Sequence, residues 1–225
     1  MQAEKPVIEQ TADGSATLFL PKLNEHYHSV KGALVEARHV YIKSAFQQIH
    51  KPEISVLEVG FGTGLNAFLT CLETLCRDVI VHYTALELFP LSWDEVDALH
   101  YPSTISPENS SLFQTLHAVD WDTPVVVTPR FTLYKRCVDL TDCLFDRNYD
   151  VVYFDAFAPE KQPELWEERI FKTLFNQMEE GGVFSTYCAK GEVRRRLQRA
   201  GFMVERLAGP PEGKREILRG IKPII

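Results

Sequence analysis

The stretch 54–66, ISVLEVGFGTGLN, joins an apolar run directly to three glycines at alternate positions. The run is short and rich in β-branched residues, which predicts a buried strand. Gly60, Gly62 and Gly64 then allow the backbone to turn sharply and to lie against a ligand. The apolar residues that follow recur at helical spacing, so a helix begins right behind the glycines. This order predicts a nucleotide-type site at the carboxyl edge of a parallel sheet.

The spacing of the glycines separates two kinds of ligand. A dinucleotide-binding turn needs G-x-G-x-x-G, and Leu65 stands where its third glycine would be. The pattern E-x-G-x-G-x-G, which begins at Glu58, is typical of S-adenosylmethionine enzymes with this topology. A carboxylate is tolerable beside the cationic methionine end of that ligand, whereas it would repel a pyrophosphate. We therefore expect S-adenosylmethionine here, with a tight turn that binds no ligand as the alternative.

The length and composition of the chain limit the classes of protein to which it can belong. With 225 residues and 45% hydrophobic content, the chain can bury one large core. We expect an N-terminal extension of short strands and a leading helix over residues 1–50, followed by one domain over residues 51–225. The start of the chain lacks a signal-peptide pattern, and no apolar run is long enough to span a bilayer. Five cysteines without a C-x-x-C pair indicate neither disulfides nor a metal, so we expect a cytoplasmic protein without a membrane partner.

Acidic residues end three later strands of the predicted sheet. Glu87 follows VIVHYTAL and is placed to accept hydrogen bonds from both ribose hydroxyls of an adenosine. Asp139 ends RFTLYKRCVD, where methyltransferases of this topology place an acid near the adenine amino group, and ordinary loop capping is the alternative. Asp155 closes the buried strand that begins at Tyr149.

Asp155 is the candidate catalytic residue. At the carboxyl edge of the fourth strand it lies beside the glycine strand of a doubly wound sheet, so it faces the position of the transferable methyl group. A carboxylate there can hold an amine nucleophile, accept its proton or stabilise its charge after methylation. It also helps to aim the nitrogen lone pair along the sulfur-to-methyl axis. The alternative is a structural loop acid, and the sequence leaves open whether Asp155 is a base or only orients the amine.

The segments between the strands predict helices. GALVEARHVYIKSAF has one apolar helical face and predicts a helix that leads into the glycine strand. Ser92 and Glu95 form a capping-box pattern for a helix that Pro102 is expected to stop. A later helix is predicted from 164 to 178, ending before a glycine pair. A last helix and two antiparallel strands are expected to complete the sheet.

The end of the chain is basic, although the whole chain is acidic. The net charge is -7, whereas residues 190–225 contain ten basic and four acidic residues, which is a net charge of +6. This asymmetry indicates a polyanionic partner. A solvated helix face explains the arginines of RRRLQR equally well.

Several motifs, taken in order, resemble one protein family. They are YHSVKGALVEARHVYI, LEVGFGTGLN, LELFPL, FDAFAPEKQPELW, CAKGEVRRRLQRAGF and GKREIL. Together they closely resemble the methyltransferase part of the bifunctional tRNA 5-methylaminomethyl-2-thiouridine biosynthesis enzymes, the MnmC type, over most of the chain. The resemblance implies the α/β, doubly wound, Rossmann-like fold of class I S-adenosylmethionine-dependent methyltransferases, with a terminal antiparallel hairpin and a short N-terminal extension. The implied substrate is tRNA with a 5-aminomethyl group on the wobble uridine, which is methylated on that amine.

The resemblance also implies roles for individual residues. The cofactor would contact Glu58, Gly60, Gly62, Thr63, Gly64, Asn66, Glu87, Asp139 and Asp155, with Asp155 also at the site of methyl transfer. The tRNA would contact Tyr27, His28, Lys190, Arg194, Arg195, Lys214 and Arg215. Family members usually have a glycine where this chain has Ala156, and PPEG before Lys214 departs from their glycine and arginine pattern. We expect no flavin (FAD), because the oxidoreductase part of the family is absent from this sequence, and we expect other wobble-uridine modification enzymes as partners.

Two other functions remain open from the sequence. Small-amine methyltransferases and aminopropyltransferases also place an aspartate and prolines after the fourth strand, but they generally add acids around a polyamine pocket. A non-catalytic tRNA-binding module would not be stabilised by S-adenosylmethionine. Since an exocyclic amine needs no cysteine nucleophile, we assign Cys188 to the core.

Overall fold

The N-terminal part of the chain forms a small sheet and a helical segment. The computed structural model describes residues 5–211 and 213–224. Strands β1 (Val7–Gln10), β2 (Ala16–Leu20) and β3 (Glu25–His26) pair in order as an antiparallel sheet. Helix α1 (Ala33–Ala37) continues into a π-helical turn (Arg38–Lys43), and a 3-10 turn (Phe46–Gln48) follows. The sequence predicted one helix here, and the wider turn replaces its second half.

An eight-stranded sheet forms the centre of the molecule. Its strands are β4 (Glu53–Val59), β5 (Ile80–Leu86), β6 (Val125–Thr128), β7 (Phe131–Arg136), β8 (Tyr149–Phe154), β9 (Met178–Thr186), β10 (Met203–Ala208) and β11 (Glu216–Ile221). Their order is β10-β11-β9-β8-β4-β5-β7-β6. The five strands from β9 to β7 run parallel, and the hairpin β10–β11 and the edge strand β6 run antiparallel. The predicted doubly wound sheet with a terminal hairpin is confirmed.

Helices cover both faces of this sheet. They are α2 (Leu65–Cys76), α3 (Trp93–Asp97), α4 (Tyr101–Ile105), α5 (Ser110–Ala118), α6 (Glu168–Asn176) and α7 (Gly191–Ala200). One buried cluster joins the N-terminal segment to α2 and α5, and a second joins α6 and α7 to the other face. The expected boundary at residue 50 stays a prediction, although side chains on both sides of it share the first cluster. Within the described ranges, no helix is long and apolar enough to cross a membrane.

The second cluster is built around stacked and edge-on aromatic rings. The fully buried ring of Phe154 contacts those of Trp166, Phe171 and Phe184, with centroids 4.9, 5.4 and 5.5 Å away. Such pairs add to the stabilisation that comes from burying apolar area. Phe154 is also the last residue of β8, so its packing fixes the backbone that leads into Asp155.

Two predicted helix boundaries were wrong for identifiable reasons. Pro102 does not stop a helix but lies in the first turn of α4, where its missing N–H is not needed, and His100 in a left-handed conformation separates α4 from α3. The helix predicted from 164 to 178 ends at Asn176, and the following glycine pair belongs to β9. An added Cβ at Gly182 would lie 2.8 Å from the Glu179 oxygen, so this glycine permits close backbone approach in a strand.

The basic end of the chain folds against acidic side chains. Six of its ten basic residues form ion pairs in the described part of the chain, and three of these pairs use acids from outside the segment. The pairs are Lys190 with Glu160, Arg196 with Glu192, Arg199 with Glu168, Arg206 with Glu216, Lys214 with Glu36 and Arg219 with Glu205. Acids from outside the segment therefore offset half of its net charge of +6, and affinity for a polyanion depends on a local group of cations.

We predict that Phe154→Ala lowers the free energy of unfolding by about 3 to 5 kcal/mol, because it opens a cavity among three aromatic rings. Leu144→Ala is the matched control, since Leu144 is 83% exposed and such changes stay within about 0.5 kcal/mol. Urea unfolding followed by circular dichroism measures both. Equal losses in the two variants would contradict this account of the core.

Candidate active site

Two cavities at the carboxyl edge of the parallel strands share a wall. The glycine-turn cavity has a volume of about 600 Å³ and is lined by the turn after β4 and the ends of β5 and β7. The hairpin cavity has a volume of about 680 Å³ and lies between the N-terminal segment, the end of β9 and the β10–β11 hairpin. Both volumes are typical of sites for small molecules. The residues common to the two walls are Tyr27, His28, Asp155, Ala156 and Phe157.

The three glycines of the turn serve different purposes. An added Cβ at Gly60 would lie 2.8 Å from the main-chain oxygen of Asp155, so this glycine lets β8 approach β4 closely. Gly62 has φ of 49°, and an added Cβ there would lie 3.1 Å from the ring of Tyr27. Gly64 is the N-cap of α2, and an added Cβ there would lie 2.5 Å from Nε2 of His117. Gly60 and Gly62 line the glycine-turn cavity and Gly64 begins the helix behind it, so a contact between Gly64 and the cofactor stays a prediction.

The carboxylate of Glu87 is bound to the glycine turn. Its Oε2 accepts the N–H of Gly62 and its Oε1 accepts the N–H of Phe89, both at 2.9 Å. Each oxygen keeps a further lone pair, and the half-buried carboxylate lines the glycine-turn cavity. This is the geometry expected of a group that receives two ribose hydroxyls.

Asp139 lies in the same cavity wall and also has a local structural role. Its Oδ1 accepts the N–H of Thr141 at 2.8 Å and caps the 3-10 turn Leu140–Asp142. The sequence left two roles open for Asp139, ligand binding and loop capping. The structure supports capping through one oxygen and leaves the other available to the cavity.

Asp155 is held by two side chains from different parts of the chain. The hydroxyl of Tyr41 donates to Oδ1 at 2.6 Å, and the amide of Asn66 donates to Oδ2 at 2.9 Å. Tyr41 reaches Asp155 from the π-helical turn, a kind of turn that often occurs at functional sites. Burial raises the pKa of Asp155 to about 6, and the charge of Glu36 adds to the rise, while both hydrogen bonds oppose it. The carboxylate is therefore charged at neutral pH, where it can hold an amine by hydrogen bonding or accept its proton.

Glu58 lines neither cavity, so its contact with the cofactor stays a prediction. Its side chain is fully buried beside Asn66 and Tyr83, and its two oxygens lack a hydrogen bond at normal distance in the described structure. Burial raises the pKa of this carboxyl well above its usual range, and the charge of Asp155 raises it further. Burial thus favours the protonated form of Glu58 behind the glycine turn.

The N-terminal segment is part of this site. Nε2 of His28 lies 2.8 Å from the hydroxyl of Thr63 in the glycine turn, and burial lowers the pKa of His28 to about 4, so the ring is neutral. The ring of Tyr27 packs edge-on against that of Phe157 with centroids 5.1 Å apart. Both predicted tRNA contacts, Tyr27 and His28, therefore lie in the wall between the cavities, where His28 mainly connects the segment to the turn.

The predicted cationic contacts divide into two groups. Lys190, Lys214 and Arg215 line the hairpin cavity. Arg194 and Arg195 lie on α7 and line neither cavity, because the helix turns them away from the sheet edge.

Three residues that sequence reasoning passed over belong to the site. Tyr41 was counted as one apolar position of a helix, although a buried tyrosine hydroxyl usually needs a partner. Glu36 and Tyr187 line or flank the hairpin cavity together with Lys214. Nothing local in the sequence marks them, because their partners are remote along the chain. Cys188 is buried as expected, and burial raises the pKa of its thiol, which makes it a poor nucleophile.

The glycine-turn cavity fits S-adenosylmethionine. Gly60 and Gly62 present bare backbone to it, and Glu87 and Asp139 offer acceptors for the hydroxyl and amino groups of an adenosine. Across residues 5–211 and 213–224, no group of three His, Cys, Asp or Glu side chains is arranged to hold a metal ion.

Comparisons with known proteins agree with this geometry. Residues 126–223 match a family described as S-adenosyl-L-methionine-dependent methyltransferase. The tRNA 5-methylaminomethyl-2-thiouridine biosynthesis bifunctional protein MnmC of Leptospira borgpetersenii is 34% identical over 213 residues, which are 88% of this chain and 32% of that protein. The chain belongs to the S-adenosyl-L-methionine-dependent methyltransferases. It spans about a third of the length of the curated relatives that it matches.

Solved structures show that this methyltransferase shares its fold with two other proteins. MNMC2 from Aquifex aeolicus superposes with a TM-score of 0.72 at 24% identity, over 100% of this chain and 74% of that one. Spermidine synthase from Thermotoga maritima gives a TM-score of 0.56 at 17% identity, over 97% of this chain and 73% of that one. At these identities the likeness concerns the fold alone, so the choice of acceptor has to be argued from the site.

The shared wall gives this methyltransferase a way to bring two reactants together. S-adenosylmethionine supplies a methyl group on a positively charged sulfur. Asp155 lines both cavities, so a nucleophile that enters the hairpin cavity can bond to its carboxylate while the donor occupies the other side. Tyr41 and Asn66 fix the orientation of that carboxylate, which satisfies the geometric demand of in-line displacement.

We predict that Asp155 titrates near pH 6 in the free protein and that Tyr41→Phe moves its titration to higher pH, because the hydroxyl of Tyr41 lowers the pKa of this carboxyl. Carbon-13 NMR of labelled aspartate side chains measures the titration, and Asp155→Asn assigns the signal by removing it. Titration near the ordinary value of about 4 would contradict the effect of burial, and no change in Tyr41→Phe would contradict the described hydrogen bond.

Proposed function

We propose that this methyltransferase transfers a methyl group from S-adenosylmethionine to the exocyclic amine of 5-aminomethyluridine, with or without a 2-thio group, at the wobble position of tRNA. The observation that carries the proposal is the position of Asp155 in the wall between the two cavities. A relative that is 34% identical over 88% of the chain is named as a tRNA 5-methylaminomethyl-2-thiouridine biosynthesis protein, which supports the same acceptor.

Asp155 has the properties that amine methylation requires. With a pKa of about 6, its carboxylate is charged at neutral pH and accepts a hydrogen bond from the incoming amine. The amine nitrogen forms a bond to the methyl carbon while the carbon–sulfur bond breaks, and the electron pair of that bond stays on sulfur. The nitrogen then gives up one proton, which Asp155 or water accepts. S-adenosylhomocysteine and a methylaminomethyl group are the products.

The hairpin cavity is the proposed entrance for the uridine. Tyr27 and Phe157 supply aromatic surface beside Asp155, against which an unstacked base can pack. Lys190 and Arg215 stand at the same cavity and are the proposed phosphate contacts. Arg194 and Arg195 would contact the backbone of the tRNA only at a distance from this cavity.

The proposed reaction uses a substrate that other enzymes have to make. The aminomethyl group has to be formed on the uridine before it is methylated, so enzymes that modify the wobble uridine are the proposed partners. The cytoplasm is the proposed location, since tRNA modification takes place there. The division at residue 50 into an extension and a methyltransferase domain is likewise proposed, with the extension contributing Tyr27, His28 and Tyr41 to the site.

We predict that the purified protein transfers labelled methyl from S-adenosylmethionine to tRNA that carries 5-aminomethyl-2-thiouridine, and that Asp155→Ala reduces the rate by at least about 100-fold. Nucleoside digestion followed by mass spectrometry identifies the product as the methylaminomethyl form. A thermal shift with S-adenosylmethionine shows that both proteins are folded and bind the donor.

The outcomes separate the alternatives. Label in putrescine, or aminopropyl transfer from decarboxylated S-adenosylmethionine, would identify a small-amine enzyme. Salt-sensitive tRNA binding without a thermal shift by the donor would identify a non-catalytic binding module. Donor binding without label in the nucleoside would reject the proposed acceptor.

A further inference from the structure

Glu36 is a second carboxylate of the hairpin cavity, apart from Asp155. Its residue is only 6% exposed, and its Oε2 accepts the N–H of Ser29 at 3.0 Å. Its Oε1 accepts a hydrogen bond from the Lys214 ammonium at 2.6 Å. A buried carboxylate needs a cation or hydrogen-bond donors to offset its loss of water. In this structure the cation comes from a lysine on the far side of the cavity, in the β10–β11 hairpin.

The place that Lys214 occupies has the form of an ammonium site. Its Nζ lies 3.9 Å from the centroid of the Tyr187 ring while it bonds to Glu36, so a carboxylate and an aromatic face bind one cation together. The Tyr187 hydroxyl donates to the main-chain oxygen of Ala156 at 2.9 Å, which fixes this ring beside Asp155. The ammonium site therefore adjoins the carboxylate at which methyl transfer is proposed.

An acceptor with a primary alkyl amine presents the same chemical group as a lysine side chain. Lys214 and such an acceptor cannot occupy the site together. The Lys214 side chain is 40% exposed, whereas that of Glu36 is 8% exposed, so the lysine can leave into solvent and the carboxylate cannot. Lys190 and Arg215 stand at the same cavity, where a displaced Lys214 would join them in contacting phosphate.

We infer that Glu36 and the Tyr187 ring bind the ammonium form of the acceptor, and that Lys214 is a displaceable counter-ion that fills this site until tRNA arrives. This inference rests on the proposed function. It assigns Glu36 as a positioning residue that selects a cationic acceptor. At Asp155 the ammonium gives up one proton to that carboxylate or to water, and the neutral amine then attacks the methyl carbon. The inference also explains why Lys214 lies inside a cavity that, by the proposed function, receives an amine.

The charges around Asp155 provide an independent readout. The titratable groups that interact with it are Tyr41, Glu36, Glu58, Tyr83, Tyr101, Tyr187 and Lys214. The charge of Glu36 raises the pKa of Asp155, and that of Lys214 lowers it. Glu36→Gln should therefore move the acid limb of kcat/KM to lower pH, and Lys214→Met should move it to higher pH.

The direct test uses the nucleoside 5-aminomethyluridine, which carries the amine without phosphate, as an inhibitor of tRNA methylation. Lys214→Met should lower its inhibition constant several-fold, because no built-in ammonium competes for the site. Glu36→Gln keeps an acceptor for the Ser29 N–H and should raise the inhibition constant about tenfold, and in that background Lys214→Met should have no further effect. The uncharged analogue 5-hydroxymethyluridine should bind equally to the wild type and to Lys214→Met. Arg219→Met removes a cation from the same hairpin whose partner, Glu205, also lies outside the cavity, and it should change neither inhibition constant.

The inference alone would be overturned if the wild-type protein methylates tRNA and the Lys214→Met variant binds the amine nucleoside with unchanged or lower affinity. Equal effects on the amine and hydroxymethyl nucleosides would overturn it as well, because they would indicate a loss of cavity shape. Wild-type protein that binds the donor but labels no tRNA would instead overturn the proposed function.

Discussion

The site depends on the position of one carboxylate, that of Asp155, in the wall between two cavities. Burial would leave this group without water, and the hydroxyl of Tyr41 and the amide of Asn66 replace it. These donors come from the π-helical turn before β4 and from the first turn of α2. Three separate segments must therefore be folded together before the carboxylate has a defined direction. Its orientation and its raised pKa are both properties of the assembled site.

The topology of the sheet supplies the rest of the constraint. Strand β4 lies between β5 and β8, so the chain leaves the sheet in different directions on the two sides of the glycine turn. Such a point opens a crevice in doubly wound folds. The absence of a side chain at Gly60 lets the end of β8 come close, and Glu87 at the end of β5 binds the turn through Gly62. The donor side of the site is thus rigid and built from contacts local to the strand ends, while the acceptor side is closed by the N-terminal segment and the hairpin.

The features that sequence reasoning predicted are those with a local signature. Strand, glycine turn and helix follow one another from residue 54 to residue 66. Glu87 and Asp155 directly follow β5 and β8, and Asp139 lies in the loop after β7, so parallel pairing brings all three to one edge of the sheet. The helix boundaries predicted near Pro102 and Gly182 were wrong because proline and glycine each occur in two different structural positions. Proline suits the first turn of a helix as well as its end, and glycine allows close strand approach as well as helix termination.

Long-range partners could not be predicted from one sequence. Tyr41 lies 114 residues from Asp155, and Glu36 lies 178 residues from Lys214. The basic end of the chain suggested a broad surface for a polyanion, but acids from elsewhere offset half of its net charge. The cations that line the hairpin cavity are Lys190, Lys214 and Arg215, and the first two are themselves paired with such acids. Glu58 likewise matched a cofactor motif by position, although its side chain is fully enclosed. In each case the sequence alone does not show which distant residue contacts the side chain in question.

The central claim is that donor and acceptor meet at Asp155 from opposite cavities. A crystal structure of the protein with bound S-adenosylmethionine tests it most directly. The account predicts that the ribose hydroxyls bond to Glu87, the adenine lies near Asp139, and the methyl group points past Asp155 into the hairpin cavity. A donor bound with its ribose away from Glu87, or with its methyl group turned away from the hairpin cavity, would contradict it.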